Sequence, residues 1–519
     1  MTAERDTWLL AYRSGDYQLA YDLIEKSKTL KKPKNQYLYF LEKAQAESRL
    51  DKFTDSNQSL QSALEYWDRL YIKLGDVIGK TALSDQVGDY WGAPFENSYH
   101  YFLSALNFKQ LAQKESDSKL SRNLFFSARA QVTAWDVYFR TQRNNDELKG
   151  SYFADYLQKY YGAKTHEQLN TPSDKQIAKK LYQEALWLFE IQAPSMRLFN
   201  TKYEDYYPKL LKILSKSDEM ASLEKLHQKI MAETTNERQL LPEYLETQKF
   251  LKSNAVATEK KKNNIKKHIM LIEGTIAPKT VETIDLSLNA ALESGSASQA
   301  VISVLANAAF FVFASQVLGI HSGSSGRGGP SIPNAYLNYH VAADVGQLLS
   351  LRFELPRIDY RPNHSNYKLR FTSTEKNKST LVWEKKVSLL MPFGELAYQE
   401  VQRDQALRYT KTAVRFALKH AAAMASAFTL YQSMKSSEGQ SAFAGPAAMA
   451  AYMSASYAIS LSEKADTRHL SLMPNHLYVL DLEIPDGTYQ TSLITDSHEQ
   501  MLGQVELKNG HEYVFYSNY

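Results

Sequence analysis

The residues that could do acid–base or nucleophilic chemistry in this chain are mostly scattered along the sequence. The clearest cluster is SEKADTRH, in which Glu463, Asp466 and Arg468 lie close together. Charged groups at this spacing form either a salt-bridged corner or a catalytic cluster, and we favour the corner because no nucleophile is positioned beside them. We interpret the neighbouring His469 and His476 as core or surface histidines.

Motifs that bind metals, phosphates or cofactors do not occur with the spacing that those ligands need. The 12 histidines form neither HExxH nor another paired-ligand pattern, and the chain has no cysteine. Residues 75–81 (GDVIGKT) have three residues between the glycines, whereas a phosphate-binding loop has four and follows a strand. No serine lies in a GxSxG elbow. The sequence therefore predicts a protein that is not an enzyme and that uses no cofactor or metal.

Composition sets the broad class of the protein. A chain of 519 residues exceeds what one hydrophobic core usually holds, so we expect two or three domains. It is 44% hydrophobic and 23% charged, as globular proteins are. The formal net charge of +4 argues against a nucleic-acid-binding protein, which concentrates basic residues on one face. The 34 tyrosines suit helical repeats and interfaces, because tyrosine buries a large ring and keeps a polar tip.

The N-terminal half, residues 1–252, has the pattern of successive amphipathic helices. Its first hairpin has Gly15 at the turn, with Tyr17, Ala20 and Ile24 on one face of the second helix. Glycine permits the tight turn and alanine lets two helices approach closely, which is typical of a tetratricopeptide-type repeat. The pattern returns loosely along this half. We therefore predict a tetratricopeptide-like array with a concave face that holds a peptide or a protein.

Aromatic residues are the candidates for partner binding on that face. They are Tyr37, Tyr90, Tyr99, Tyr101 and Trp135. Aromatic side chains are enriched at protein interfaces, but they are equally suited to the core between helices. Both interpretations remain open from the sequence, and the core is the favoured one.

A basic stretch joins the helical half to a different C-terminal half. Residues 253–268 are rich in lysine and are predicted to be a solvated linker. Residues 269–519 contain alternating, strand-like segments separated by turns, and one long helical segment. We expect the last four strand-like segments to form one small antiparallel sheet. The predicted fold class is α+β, with the helical array followed by a mixed half of β-strands and two apolar helices.

Two segments of the C-terminal half contain no Lys, Arg, Asp or Glu, namely residues 294–326 and 439–462. Within the first, residues 301–320 are long enough to cross a bilayer, although Ser303 and Asn307 interrupt their apolar character. We favour helices buried in the fold or in a subunit interface. Membrane insertion remains the alternative, because small residues support close helix packing in either solvent.

Several motifs occur in order along nearly the whole chain. They are GDYQLAYDLIEKS (15–27), YLYFLEKAQAESRLDKFTDS (37–56), YWGAPFENSYHYFLSALNF (90–108), EGTIAPK (273–279), IPNAY (332–336), LRYTKTAVRFALKHAA (407–422) and EKADTRHLSLMPNHLYVLDLEIPDGTY (463–489). Together they resemble a family of uncharacterised bacterial envelope lipoproteins with N-terminal tetratricopeptide-like repeats. The resemblance implies export to the envelope of a Gram-negative bacterium and a lipid-modified N-terminal cysteine, and it implies no catalytic residues. This chain begins MTAERD without a cysteine, so we expect Met1 to stand where the lipidated residue of the native precursor would be.

These observations predict a non-enzymatic scaffold or assembly component of the cell envelope. We expect it in the periplasm, associated with the outer membrane and lipid-anchored in its native form. The expected partners are envelope proteins or peptides, including other lipoproteins, and further copies of the chain in a homo-oligomer; no nucleic acid is expected. The alternative prediction is a membrane-inserting, ring- or pore-forming protein that uses residues 301–320 and 439–462.

Overall fold

The computed structural model describes residues 2–73, 88–143, 155–192, 267–285, 352–360, 367–373, 382–436, 443–495 and 498–517. Residues 75–81, residues 253–266 of the predicted linker and the uncharged residues 294–326 lie outside this part of the chain. Within it the fold is α+β, with helices in the N-terminal half and strands concentrated in the C-terminal half.

The described N-terminal half is a series of helices that each pack against the next. They are α1 (Thr2–Arg13), α2 (Tyr17–Lys26), α3 (Gln36–Arg49), α4 (Phe53–Lys73), α5 (Pro94–Lys114), α6 (Ser118–Arg143), α7 (Asp155–Leu169) and α8 (Pro172–Gln192). Gly15 adopts a positive φ of 86° at the first turn, and the Asp16 side chain caps α2 by accepting from the Leu19 amide at 3.0 Å. The hairpin predicted at Gly15 is confirmed.

Helix α7 has no counterpart in the prediction from sequence. Most of its side chains are buried, and Tyr156, Tyr160 and Tyr161 are completely buried. A helix that is enclosed on most sides has no polar face to alternate with an apolar one, so its sequence lacks amphipathic periodicity. Two of its tyrosine hydroxyls instead reach polar groups of the C-terminal half: Tyr156 donates to the Leu390 carbonyl at 2.8 Å, and Tyr161 donates to Glu512 at 3.0 Å.

The described strands form three sheets. The strands are β1 (Lys267–Glu273), β2 (Lys279–Asp285), β3 (Arg352–Ile358), β4 (Lys368–Ser373), β5 (Val382–Lys386), β6 (Ser388–Pro392), β7 (His476–Leu482), β8 (Gly487–Ile494), β9 (Glu499–Leu507) and β10 (Glu512–Ser517). The central sheet has the order β10-β1-β7-β6, the outer sheet has the order β5-β4-β8-β9, and β2 pairs with β3 alone. Strand β1 runs parallel to β10 and antiparallel to β7.

The prediction of one antiparallel sheet from the last four strands is wrong. Strands β8 and β9 do pair with each other in the outer sheet, but β7 and β10 lie on either side of β1 in the central sheet. Strand β1 is buried along its whole length, so it needs a hydrogen-bonded neighbour at both edges. Alternation within a strand shows which face is buried but not which strand becomes its neighbour, which is why the sequence did not reveal this split.

The central sheet lies between the helical array and the outer sheet. In β10, Glu512 contacts Lys109 and Tyr161 of the array, whereas Phe515 contacts Phe371 of the outer sheet. Residues three apart on a strand point to opposite faces, so both faces of the central sheet are covered. The main hydrophobic core correspondingly contains side chains of both halves. The two predicted halves, residues 1–252 and 269–519, thus differ in their secondary structure, but described side chains of both halves belong to one common core.

The end of the predicted linker is part of β1 rather than a solvated tether. Lys267 is completely buried, and its Nζ donates to the Ile484 carbonyl at 2.7 Å and to Asp486 at 2.8 Å. His268 is also buried and bonds to Asp481 at 3.0 Å. Partners from distant parts of the chain make it possible to bury these two residues. The local sequence of a basic run does not reveal such partners.

Two further helices, α9 (Phe393–Lys435) and α10 (Ala444–Ser462), form a hairpin in the C-terminal half. Helix α9 confirms the long helical segment that the sequence predicted. Helix α10 occupies most of the uncharged residues 439–462. Among the helices of the described ranges, none is both long enough and apolar enough to span a bilayer.

Candidate functional site

The odd-numbered helices of the array turn one side toward the C-terminal half. Trp8 of α1, Glu42 of α3, Glu96 of α5 and Lys164 of α7 each form a hydrogen bond with the chain that leads into β7 or forms it. We call this side of the array the inner face. Stacked helical hairpins bind their partners on a concave surface that one helix of each pair lines, so the inner face is the first place to look for a ligand.

The inner face is occupied by residues 467–475 of the same chain, which we call the buried segment. It joins α10 to β7 without regular secondary structure, and nearly all of its residues are buried. The Glu42 carboxylate accepts from the Ser471 amide at 2.6 Å and from the Leu472 amide at 3.1 Å. The Ser471 hydroxyl also donates to Glu42 and accepts from the Trp8 indole at 3.1 Å. Since irregular buried backbone must find side-chain partners, Glu42 is what allows the segment to enter the core.

Glu96 performs two tasks at the inner face. One carboxylate oxygen accepts from the Leu470 amide of the buried segment at 2.9 Å. The other accepts from the Ala93 amide and from the Tyr90 hydroxyl, both at 2.6 Å. The bond to Ala93 satisfies a free amide at the start of α5, as in a capping box. The same side chain thus fixes the beginning of a helix and the position of the buried segment.

Burial changes the acidity of Glu42. The side chain is completely buried, and this burial raises its pKa to about 7, against the opposing effect of the hydrogen bonds from Ser471 and Leu472. The negative charge of Glu96 raises the pKa of Glu42 further. The carboxyl group at the centre of the inner face therefore changes its charge near neutral pH.

Arg468 attaches the buried segment to the turns that precede α3 and α5. Its guanidinium donates to the Asn35 side chain at 3.1 Å and to the Gly88 carbonyl at 2.9 Å. It also forms an ion pair with Asp466 at 2.7 Å and lies over the Tyr90 ring, with 5.6 Å to the ring centroid. One buried cation thus joins three separate parts of the chain.

Replacing Arg468 with methionine should destabilise the fold markedly. Asn35 and the Gly88 carbonyl would lose their donor, and we expect the free energy of unfolding to fall by about 2 kcal/mol. Urea denaturation of the full chain measures this change. The matched control is Arg370→Met, whose guanidinium pairs with Glu384 and Glu499 on the exposed outer sheet and should matter much less. Equal losses for the two variants would contradict the anchoring role of Arg468.

The charged cluster around Glu463 is a salt-bridged corner, as the sequence interpretation favoured. The Glu463 carboxylate is paired with Arg415 at 2.9 Å and with Lys419 at 2.6 Å, both on α9. Asp466 is paired with Arg468. The corner connects α9 and the end of α10 to the buried segment, and its carboxylates are engaged by cations rather than directed at an open cleft.

The two neighbouring histidines are core residues, as one of the two sequence interpretations held. His469 bonds to the Thr467 carbonyl at 3.1 Å, and burial lowers its pKa well below the usual range. His476 is completely buried and is hydrogen-bonded to Glu273, which also accepts from the Tyr367 hydroxyl at 3.0 Å. Sequence reasoning did not anticipate this buried trio, because its members come from three distant strands or strand ends.

A buried ion pair lies where α5 and α7 meet the central sheet. Lys109 and Glu512 are both completely enclosed and form a direct hydrogen-bonded pair. The Tyr161 hydroxyl donates to the second Glu512 oxygen at 3.0 Å. Burial lowers the pKa of Lys109, and the carboxylate of Glu512 opposes that shift. The pair links the array to the central sheet across more than half of the sequence.

The five aromatic residues predicted for partner binding are all buried. Tyr37, Tyr90, Tyr99, Tyr101 and Trp135 each expose less than a tenth of their surface. An enclosed side chain offers no surface to a partner, so we assign all five to the core and correct the binding assignment. Two of them do touch the C-terminal half: Tyr90 lies under Arg468, and the Tyr99 ring meets Phe393 edge-on.

The described residues do not suggest catalysis at the inner face. Ser471 and Glu42 resemble a nucleophile and its base, but both are completely buried, and a substrate would have no access to them. A separate polar cleft of about 280 Å³ lies between the end of α5 and β10, near Lys114 and His511. Its volume is at the lower limit of typical ligand pockets. No group of three or more potential metal ligands occurs within the described ranges.

No protein-family model, curated protein or solved structure matches this chain. The functional argument therefore depends on the contacts just described and on the motifs in the sequence.

Proposed function

We propose that this chain is a non-enzymatic scaffold or assembly component that binds protein partners. The observation that supports this function is the way the inner face holds the buried segment. Glu42 and Glu96 accept hydrogen bonds from consecutive backbone amides. Contacts to the main chain are those by which proteins hold extended polypeptide. They support the proposal of a polypeptide-binding scaffold.

We further propose that the array is tetratricopeptide-like. Its helices pack in chain order, and the hairpin at Gly15 has the expected turn. Ala20, Ala44 and Ala63 are completely buried, as small residues are where paired helices approach closely. Of the two apolar helices in the predicted fold, α10 is the one within the described ranges, and residues 301–320 lie outside them.

The proposed location is the periplasm, at the outer membrane, with a lipid anchor on the native form. The support is the resemblance to envelope lipoproteins. Three of the stretches that carry it, residues 37–56, 90–108 and 463–489, contain Glu42, Glu96 and the buried segment respectively. The motifs of the resemblance thus coincide with the contacts that join the array to the C-terminal half.

Partners must bind elsewhere than on the inner face, because the buried segment fills it. Large apolar side chains remain exposed on the helices of the array, among them Leu10 of α1 and Leu120 and Val137 of α6. Exposed apolar residues on a rigid helical support are suitable anchors for a protein partner. We propose that envelope proteins dock on exposed apolar residues of the array such as these.

Site-specific photo-cross-linking in the producing bacterium tests this proposal. A photoreactive amino acid is placed in the full chain at position 10, 120 or 137, and at Val382 of β5 as an exposed control. The full chain is required because the two halves share one core. We expect covalent adducts with other envelope proteins from the array positions and none from the control. No adduct from any array position, or equal adducts from the control, would overturn the proposal.

Liposome leakage with the purified chain separates the scaffold from the membrane-inserting alternative. A scaffold should leave dye-loaded vesicles intact. Release of the dye, abolished by charged substitutions within residues 439–462, would favour a ring- or pore-forming protein instead.

A further inference from the structure

The far part of the α9–α10 hairpin has a small core of its own. Phe416 of α9, Met449 and Tyr452 of α10 and Phe353 of β3 belong to a cluster that is separate from the main core. The Tyr452 hydroxyl and His420 Nδ1 form a hydrogen bond of 3.0 Å between the two helices. One side of α10 is therefore packed against α9. The opposite side, which we call the outer side of α10, is exposed within the described part of the chain.

The outer side of α10 presents large apolar side chains and no charge. Phe443, Tyr457 and Leu461 are 68%, 62% and 50% exposed. No Asp, Glu, Lys, Arg or His occurs from Phe443 to Ser462, and residues 421–434 of α9 also lack them. Contiguous apolar surface of this kind on a soluble fold usually marks an interaction site.

The residues on the outer side follow a seven-residue repeat. One series is Phe443, Ala450 and Tyr457, and the other is Ala447, Ser454 and Leu461. These series correspond to the d and a positions of a coiled coil, where side chains pack into a facing helix. From Ala447 to Leu461 they extend over about 21 Å at the helical rise of about 1.5 Å per residue, and Phe443 is the N-cap residue just before α10. Large and small side chains alternate along this surface at the spacing with which two helices pack together, so a second helix fits it.

The repeat is complementary to itself in the antiparallel direction. With a twofold axis opposite residue 452, the facing pairs are Phe443 with Leu461 of the second copy, Ala447 with its Tyr457, and Ala450 with its Ser454. Every layer then joins an a position to a d position, and the large Tyr457 meets the small Ala447. We propose that two copies of this chain form an antiparallel, twofold dimer through the outer side of α10.

A second copy suits this surface better than a membrane does. Helix α10 falls short of the apolarity that a spanning helix needs. A helix lying on a membrane surface normally carries Lys or Arg beside its apolar face, and α10 has neither. A twofold interface contains every side chain of the outer side twice, so a charge there would be duplicated within one small buried surface, and the absence of charge avoids that repulsion. Antiparallel helices also align their dipoles favourably.

Sedimentation velocity of the full chain over a range of concentrations tests the dimer. We expect a dimer at micromolar concentration, and Tyr457→Glu should raise its dissociation constant by about 100-fold or more, because each copy would bury a carboxylate. The combined variant Ala447→Lys/Tyr457→Glu should restore association, since the symmetry places each new lysine against a new glutamate. Met501→Glu, at an exposed apolar residue of β9, is the control and should leave the dimer unchanged.

A chain that is monomeric at all concentrations would overturn the proposal. So would a dimer that responds to Met501→Glu but not to Tyr457→Glu. The rescue by Ala447→Lys guards against misfolding as the cause, because a misfolded Tyr457→Glu chain would gain nothing from a second charge.

Disulfide trapping tests the antiparallel direction. The chain has no cysteine of its own, so only the introduced cysteines can form a disulfide. Ala450→Cys and Ser454→Cys chains, carrying different tags, should cross-link when mixed and oxidised. Neither variant alone should cross-link. In the antiparallel dimer the same position in the two copies would be offset by about 6 Å along the helix axis, and the separation between the helices adds to this distance, so the two cysteines would be too far apart for a disulfide. Cross-linking of Ala450→Cys chains to one another would indicate a parallel pair and overturn the antiparallel dimer.

Discussion

Replacing Lys109 with methionine should lower the free energy of unfolding by about 3–5 kcal/mol, the largest single effect that we expect. The substitution leaves the Glu512 carboxylate completely enclosed with only the Tyr161 hydroxyl as a donor. A buried charge without its counter-charge is far more costly than the same charge paired. Urea denaturation of the full chain at neutral pH measures the loss.

A second substitution distinguishes an unpaired charge from lost packing. The double variant Lys109→Met/Glu512→Leu removes both charges, so it should be more stable than Lys109→Met alone. The surface control is Lys180→Met on α8, which removes an exposed ion pair with Glu184 and should cost less than about 1 kcal/mol. If the double variant is no more stable than Lys109→Met, the destabilisation does not come from the isolated carboxylate.

The second large effect is a pH dependence that belongs to Glu42. Its pKa in the fold is about 7, against an ordinary value of 4.5. Between these two values the native state holds a proton that the unfolded chain releases, so the native state binds more protons and its stability falls as pH rises through this window. At about 1.4 kcal/mol per pKa unit, Glu42 should remove about 3 kcal/mol of stability between pH 4.5 and pH 7.

Glu42→Gln isolates this contribution, because glutamine does not titrate. We expect the stability difference between the variant and the unmodified chain to shift by about 3 kcal/mol in favour of the variant from pH 4.5 to pH 8. Urea unfolding at several pH values measures it, with Glu65→Gln on the exposed surface of α4 as the control. A difference that is constant with pH would show that Glu42 does not ionise in this window.

The sequence predicted the fold where the deciding interactions are local. The α1–α2 hairpin follows from a glycine turn and a capping aspartate, and the long helix α9 follows from its uninterrupted pattern. Helix α7 was not predicted from the sequence, because a helix that is buried on most sides lacks the alternation of apolar and polar faces by which helices are recognised. The neighbours of β1 could not be predicted either. Strands β7 and β10 pair with β1 because β1 is buried and needs a partner at each edge, and the sequences of β7 and β10 do not specify this pairing.

The candidate site was less predictable than the fold. Glu42 is preceded by the apolar run YLYFL, and a carboxylate there was a sign that a distant donor must exist. That sign does not identify the donor, which is the backbone of residues 471 and 472. The aromatic residues failed as binding candidates for a related reason: type and spacing place them on helices but do not show what covers those helices.

The pairing of β1 with β10 has a consequence for the order in which the protein folds. His268 is opposite Glu512, so the central sheet closes only when segments about 240 residues apart have met. The buried segment arrives late as well, long after the helices that hold it have been synthesised. During synthesis, the inner face therefore stands open with Glu42 and Glu96 uncovered. Until its own chain fills it, this surface is available to a chaperone or to another extended polypeptide.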